Sequence, residues 1–355
     1  MNASQNSGDL GWDPAGFPSQ LRHNALRVPG GGTWLRTVGQ RISSQCSEWN
    51  LHPDATSTRP WFAGHAGLVV PVRDAAGARF VLKYQIPDPE LAMEAEVLRL
   101  WSGIASVELI RNDGGFLLLE RLDAERDLGT VPVFDAVDIW GNIMDRLGWR
   151  VSKWQGPTDA LGGFERTDVL AERWNDELPA RWSEAPGLLP RRLMEAALGL
   201  CQERGAVGRR DSDDFLVHAD LHYYNVLARP VTSEYVAIDP QPFVGDREFA
   251  VLPMLNNRLG ELPERDSASA LRARLRRLAR AASLDADMAT GWSVARAVED
   301  ALTYSEQGLC GDAERSVWVA SALSGGGTCP RCHACTSSSR WSSPSVSAGV
   351  PGQWG

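Results

Sequence analysis

Three short stretches of this 355-residue chain bring together side chains able to handle a phosphate group and a hydroxyl proton. In His218-Ala-Asp220-Leu-His-Tyr-Tyr-Asn225 a carboxylate and a carboxamide stand five positions apart. This is the D-x-x-x-x-N spacing in which aspartate accepts the proton of a nucleophile and asparagine holds a metal ion. Asp239 follows at the end of the apolar run Tyr235-Val-Ala-Ile238, where a strand end would fix its oxygens as a second metal ligand. Phosphoryl transfer also needs cations on the phosphates. The 36 basic residues include only two lysines, Lys83 and Lys153, so a lysine is the exception in an arginine-biased chain. Lys83 ends the strand-like run Arg79-Phe-Val-Leu-Lys83, a position from which it could reach the α- and β-phosphates of a nucleotide.

Such residues act only if rigid elements aim them. Leu68-Val-Val-Pro-Val72, the turn Asp74-Ala-Ala-Gly77 and Arg79 to Lys83 read as a hairpin, and Pro89 to Trp101 reads as a helix with proline in its first turn. On that helix Glu94 is the expected ion-pair partner of Lys83. Glu96 is the alternative, because two residues turn a helical side chain by about 200°. A second hairpin runs from Val107 through Asn112-Asp-Gly-Gly115 to Glu120. Gly64 and Gly67 in Ala63-Gly-His-Ala-Gly67 are candidates for a loop over the phosphates, and Glu120 and Leu122 for the adenine side. Beyond Asp123 the pattern becomes helical, at about 133–147, 167–180, 189–204, 267–283 and 287–307, with short strand-like pieces where the chemistry is concentrated. The expected fold class is α+β: a small β-rich N-lobe with one main helix and a larger, mostly helical C-lobe.

Longer words around these residues resemble a known family. Leu216-Val-His-Ala-Asp-Leu-His-Tyr-Tyr-Asn-Val-Leu227, Ala237-Ile-Asp-Pro-Gln-Pro-Phe-Val-Gly-Asp246 and Pro253-Met-Leu-Asn-Asn-Arg258 are similar to the aminoglycoside phosphotransferases, within them to the streptomycin 6-kinase and hydroxyurea phosphotransferase branch. Phe80 to Lys83, Glu94 to Leu98, Leu117 to Arg121, Gly32 to Leu35 and Trp49 to Leu51 extend the resemblance over about residues 18–322. It implies a protein-kinase-like two-lobed fold, ATP with Mg²⁺, and transfer to a hydroxyl of an aminocyclitol antibiotic. By it Asp220 is the base, Asn225 and Asp239 hold Mg²⁺, Lys83 meets the phosphates and Glu94 orients Lys83. The departures, Ala250 where relatives carry an acidic residue and the pair Tyr223-Tyr224, bear on substrate rather than on chemistry. A cationic substrate calls for carboxylates, and the second half offers Glu172, Asp176, Glu177, Asp246, Glu248, Glu299 and Asp300, with His222 inside the loop itself. Two other readings use the same residues: a kinase for hydroxyurea or another small hydroxylated metabolite, and a nucleotide-binding pseudokinase.

Composition narrows the partners. A net charge of −9 disfavours a nucleic-acid backbone and favours a cationic small molecule. No apolar run is long enough for a membrane helix and no signal peptide opens the chain, so a cytoplasmic monomer is expected. The domains expected are a flexible 1–17, a nucleotide lobe 18–122, a helical lobe 123–323 and a disordered tail 324–355. In that tail Cys329, Cys332, His333 and Cys335 suggest zinc, but four ligands within seven residues are too crowded for an ordinary structural site.

Overall fold

The computed structural model describes residues 16–57, 59–64, 67–153, 161–205, 207 and 214–325. The cysteine-rich tail segment and His65-Ala66 lie outside them. The described residues form two compact units, the first ending at 127 together with 224–240, the second of 128–223 and 241–325. The division therefore falls inside the Asp220–Asn225 loop, after Tyr223, and at 127/128 upstream.

The first unit begins with α1 (Ser19–Arg27) and α2 (Gly31–Glu48). An antiparallel sheet follows, made of β1 (Leu51–Pro53), β2 (Phe62–Ala63), β3 (Gly67–Asp74), β4 (Arg79–Gln85), β5 (Leu109–Asp113) and β6 (Phe116–Glu120). Its order is β1-β3-β4-β6-β5, with β2 added to β3, and α3 (Pro89–Trp101) links β4 to β5. The period-2 alternation of strand side chains gives this sheet two different faces. Leu68, Val70 and Val72 of β3, Leu82 and Tyr84 of β4, and Phe116 and Leu118 of β6 form a core with Leu21, Trp34, Leu35, Val38 and Ile42 of α1 and α2. Each such side chain, fully buried, contributes about 1.5–3 kcal/mol. Val69, Val81, Lys83 and Leu119 point the other way. The expected lobe had one main helix; among its described residues the unit adds α1 and α2 to α3, and these two cover the apolar face that a lone sheet would leave wet. Phe17, at the end of the expected flexible terminus, is buried edge-on against Trp61 with ring centroids 5.4 Å apart.

The chain leaves this unit after β7 (Asp123–Asp127). The second unit continues with α4 (Val133–Leu147), β8 (Glu165–Arg166), α5 (Thr167–Glu184), α6 (Arg191–Arg204) and β9 (Phe215–His218). The excursion 224–240 belongs to the first unit, where β10 (Val226–Ala228) and β11 (Tyr235–Ala237) pair with β7 in the order β11-β10-β7. The second unit then resumes with β12 (Pro242–Gly245), α7 (Leu252–Asn256), α8 (Ser267–Ala281), α9 (Ala286–Glu306) and α10 (Cys310–Leu323). In it β12 lies between β8 and β9, parallel to the first and antiparallel to the second. Gly245, at φ +148°, allows this junction: a Cβ there would stand 1.9 Å from Thr167 Oγ1. Asp285 starts α9 by accepting hydrogen bonds from the backbone N–H groups of Asp287 and Met288 at 2.9 and 2.8 Å. No helix among the described residues is long and apolar enough to cross a membrane.

Candidate active site

The non-core face of the first sheet walls a pocket lined by Val69, Val81, Leu119, Leu122 and Ile238 with Lys83, Glu120 and Asp239 among them. Strand register makes it, since Lys83 faces Val69 on one side and Leu117 on the other, and Val81 faces Leu119. Gly64 and Gly67 are not among its walls. Gly64 N–H donates to Gly67 O at 3.0 Å, closing the turn into β3. A Cβ on Gly67 would stand 2.3 Å from Tyr84 O, so close sheet packing itself requires glycine there.

At the polar end of the pocket Lys83 Nζ donates to Glu94 Oε2 at 2.7 Å and to Asp239 Oδ1 at 2.5 Å. Gln85, two residues along β4, donates to the same Glu94 oxygen at 2.7 Å and ties it to α3 through Leu91 O at 3.0 Å. Helix geometry decides between the two glutamates: Glu94 is buried against Lys83, and Glu96 is exposed and pairs with Arg99. Burial opposes the Lys83 charge, but Asp239 and Glu94 outweigh it and hold the amine above its usual range. Burial pushes the Glu94 carboxyl up, with Lys83 pulling it down. One lysine thus balances two carboxylates in a dry setting, which keeps its charge in place.

Asp239 sits at φ +50°, a left-handed conformation that few residues other than glycine and the Asx pair tolerate. The surrounding backbone imposes it. Ala237 exchanges backbone bonds with Ala105 and Val107, each 2.8 Å long, and Ile238 N–H donates to Asn225 O at 2.9 Å. The β10–β11 pairing sets the fully buried Asn225 beside the residue that precedes Asp239. A carboxamide and a carboxylate are hard oxygen donors suited to Mg²⁺, which takes few protein ligands and completes its shell with phosphate and water. Among the described residues there is no group of three or more His, Cys, Asp or Glu that could hold a metal. Glu120 is held in place: Arg229 grips it through Nη2 at 2.8 Å and Nε at 3.0 Å, and the Glu108 N–H adds a third bond at 2.9 Å. Nothing in the sequence pattern drew attention to Arg229, which follows β10 directly.

In the second unit Asp220 follows β9, with its side chain 32% exposed and so open to solvent. Its N–H donates to His218 Nδ1 at 3.2 Å, its carbonyl accepts from His222 N–H at 3.0 Å, and His222 Nε2 lies 3.8 Å from its carboxylate. Of the other acidic candidates, Asp246 requires a correction. It is 5% exposed, Arg204 holds both its oxygens at 2.6 and 2.9 Å, and Trp292 Nε1 donates to it at 2.9 Å, so it joins α6, α9 and β12 and does not face a substrate. Glu248 accepts from Asp285 N–H at 3.1 Å, and burial raises its carboxyl. Asp176 and Glu177 are exposed on α5. The carboxylate electrostatically linked to Asp220 is Asp300 on α9, pushed up to about 7 by burial, with Arg296 opposing and Glu299 and Asp220 adding to the rise. Ala250 and Tyr223 are fully buried, so these two departures from the family pattern face the core.

Residues 48–308 match the family described as aminoglycoside/hydroxyurea antibiotic resistance kinase. The chain belongs to it. This kinase is 32% identical to streptomycin 6-kinase of Streptomyces glaucescens over 87% of its own length and 97% of that protein. It is also 32% identical to hydroxyurea phosphotransferase of Kitasatospora aureofaciens, over 87% of its length and 86% of the relative. Among solved structures it is similar to a macrolide 2'-phosphotransferase from Brachybacterium faecium (TM-score 0.51, 16% identity, 80% of this chain and 98% of that one). It is likewise similar to an amicoumacin kinase in complex with AMP-PNP and Ca²⁺ (TM-score 0.50, 16% identity, 80% and 92%). The fold is the α+β, protein-kinase-like one, and the enzyme is a phosphotransferase with an alcohol group as acceptor.

Proposed function

We propose that this kinase moves the γ-phosphoryl group of ATP to a hydroxyl of a cationic, streptomycin-like aminocyclitol, that it does so in the cytoplasm as a monomer, and that the modification confers resistance. The observation that carries the reading is the triad of Lys83, Glu94 and Asp239 at the polar end of an apolar pocket, in a chain 32% identical to a streptomycin 6-kinase. Lys83, kept charged by its two partners, donates to the nucleotide phosphates while Glu94 keeps it aimed. Asn225 and Asp239 would hold Mg²⁺, which would supply charge neutralisation at the nucleotide phosphates. Glu120 and Leu122 flank the base. Asp220 accepts the proton of the acceptor hydroxyl on its carboxylate, orienting the oxygen for in-line attack. A cationic acceptor suits the net charge of −9 and the carboxylates of Glu299 and Asp300 on α9.

The hydroxyurea phosphotransferase, equally similar in sequence, favours a second reading in which the acceptor is a small hydroxylated molecule. Incubation of the enzyme with Mg·ATP and, separately, streptomycin, hydroxyurea and simple sugars separates the two. Streptomycin heavier by one phosphoryl group, together with raised streptomycin tolerance of cells expressing the chain, is expected. Phosphorylation of hydroxyurea alone would overturn the first reading in favour of the second.

A further inference from the structure

The peptides on either side of Asp220 are each gripped by a side chain from elsewhere in the second unit. The carbonyl of Ala219, just before Asp220, accepts from Arg296 Nη1 at 2.9 Å. The carbonyl of Leu221, just after it, accepts from Trp140 Nε1 at 2.9 Å. Trp140 lies on α4 and is fully buried. Arg296 lies on α9, where the same nitrogen also donates to Phe249 O at 2.7 Å and the guanidinium stacks 4.3 Å from the Phe249 ring.

The placement on α9 is regular. Residues four apart share a helix face, and this face presents Trp292, Arg296 and Asp300 in turn. Trp292 holds Asp246, Arg296 holds the Asp220 loop and the Phe249 carbonyl, and Asp300 accepts from Asn256 at 3.4 Å. Burial works against the Arg296 charge, while Asp300, Asp220, Glu299 and Tyr304 support it. A partly desolvated guanidinium bonded to two main-chain carbonyls fixes geometry through its planar set of donors. Ala219 N–H adds a third restraint by donating to Gln241 O at 2.8 Å.

We propose that Trp140 and Arg296 are positioning residues for phosphoryl transfer, holding the two peptides that flank Asp220 so that its carboxylate keeps the orientation from which it takes the acceptor's proton. The proposal rests on Asp220 being the base, as read above. A loop residue held by backbone alone can tilt, and a displacement of about 1 Å at a reacting group can cost about a hundredfold in rate. The brace removes that freedom from both sides without touching a substrate.

The test compares Trp140→Phe, Arg296→Met, Arg296→Lys and Asp220→Asn in steady-state turnover of Mg·ATP with streptomycin, or with whichever acceptor of the panel above is phosphorylated. Trp140→Phe keeps the ring and removes only the donor, so kcat should fall about tenfold with both KM values within about twofold of wild type. Arg296→Met should lower kcat about a hundredfold, and Arg296→Lys, which keeps a donor and the charge, should recover about tenfold of that loss. If Arg296→Met does not fold, Trp140→Phe alone decides. Wild-type kcat per folded molecule in Trp140→Phe, with a lower Tm as the only change, would make the brace merely structural and overturn the proposal. So would a rise in KM at constant kcat. Turnover by Asp220→Asn would overturn both the proposal and the reading beneath it, whereas an inactive Asp220→Asn beside wild-type kcat in the other variants would overturn the proposal alone.

Discussion

Replacing Asp246 by alanine separates a structural carboxylate from a substrate-binding one. In the folded chain both Asp246 oxygens are engaged by Arg204, whose side chain is 8% exposed against 6% for Asp246, and Trp292 adds a third hydrogen bond. Alanine takes from the buried guanidinium the carboxylate that binds it twice and from the indole N–H its acceptor. Losing one partner of a buried pair costs about 3–5 kcal/mol, and an orphaned indole N–H adds about 1 kcal/mol. For a unit of this size, 1 kcal/mol moves Tm by about 2–4 °C, so Asp246→Ala should melt roughly 8–24 °C below wild type. Asp246→Asn keeps the shape and an acceptor for Trp292 and should fall in between. Differential scanning calorimetry measures the shift, and acceptor KM measured below the transition should stay within about twofold of wild type. An unchanged Tm with a KM for the cationic acceptor raised tenfold or more would refute the reasoning and return Asp246 to the substrate site.

Lys83→Met should lower kcat/KM for ATP by at least about a hundredfold, because the phosphates lose their cation and Glu94 and Asp239 are left facing each other; initial rates against ATP concentration check it. Gly67→Ala should destabilise the first unit by about 2 kcal/mol or more, since its Cβ would meet the Tyr84 carbonyl at 2.3 Å at the end of the β3–β4 pairing, where Gly67 faces Gln85; urea unfolding measures this. Asp300→Asn should stabilise the protein at pH 8. Burial raises the folded-state pKa of Asp300 from 3.8 to about 7, so its contribution to stability is fully present below about pH 4 and lost as pH rises towards 7. Removing the ionisable group should therefore gain about 2 kcal/mol at pH 8 and progressively less towards pH 4, read from urea unfolding at several pH values.

Much of the site lies in residues whose type and spacing carry chemistry on their own. Lys83 stood out because lysine is rare here, and Glu94 could be preferred to Glu96 because a helix shows only one of them to the strand. The helix beginning at 133 showed a clear 3.6-residue pattern, and those at 89–101 and from 167 were marked more by strong helix formers than by periodicity. Other elements did not. The α2 sequence Gly31-Gly-Thr-Trp-Leu-Arg-Thr-Val-Gly39 is rich in glycine and β-branched residues, which weaken local helix preference; packing of Trp34, Val38 and Ile42 on the sheet overrides it. That 224–240 joins β7 in the first unit depends on pairing about 100 residues away, which no local window contains. Arg229 and Arg296 were hidden for the opposite reason to Lys83. Arginine is abundant in this chain, so only the carbonyls and carboxylates around a particular guanidinium show that it is structural.

The most direct test of the account is a comparison of wild type and Asp220→Asn, each incubated with Mg·ATP and streptomycin and followed by mass spectrometry of the antibiotic, with nucleotide affinity measured in parallel. Phosphorylated streptomycin is expected from the wild type, with a rate lower by about three or more orders of magnitude in the variant and nucleotide affinity unchanged within about twofold. Comparable product from both proteins would contradict it.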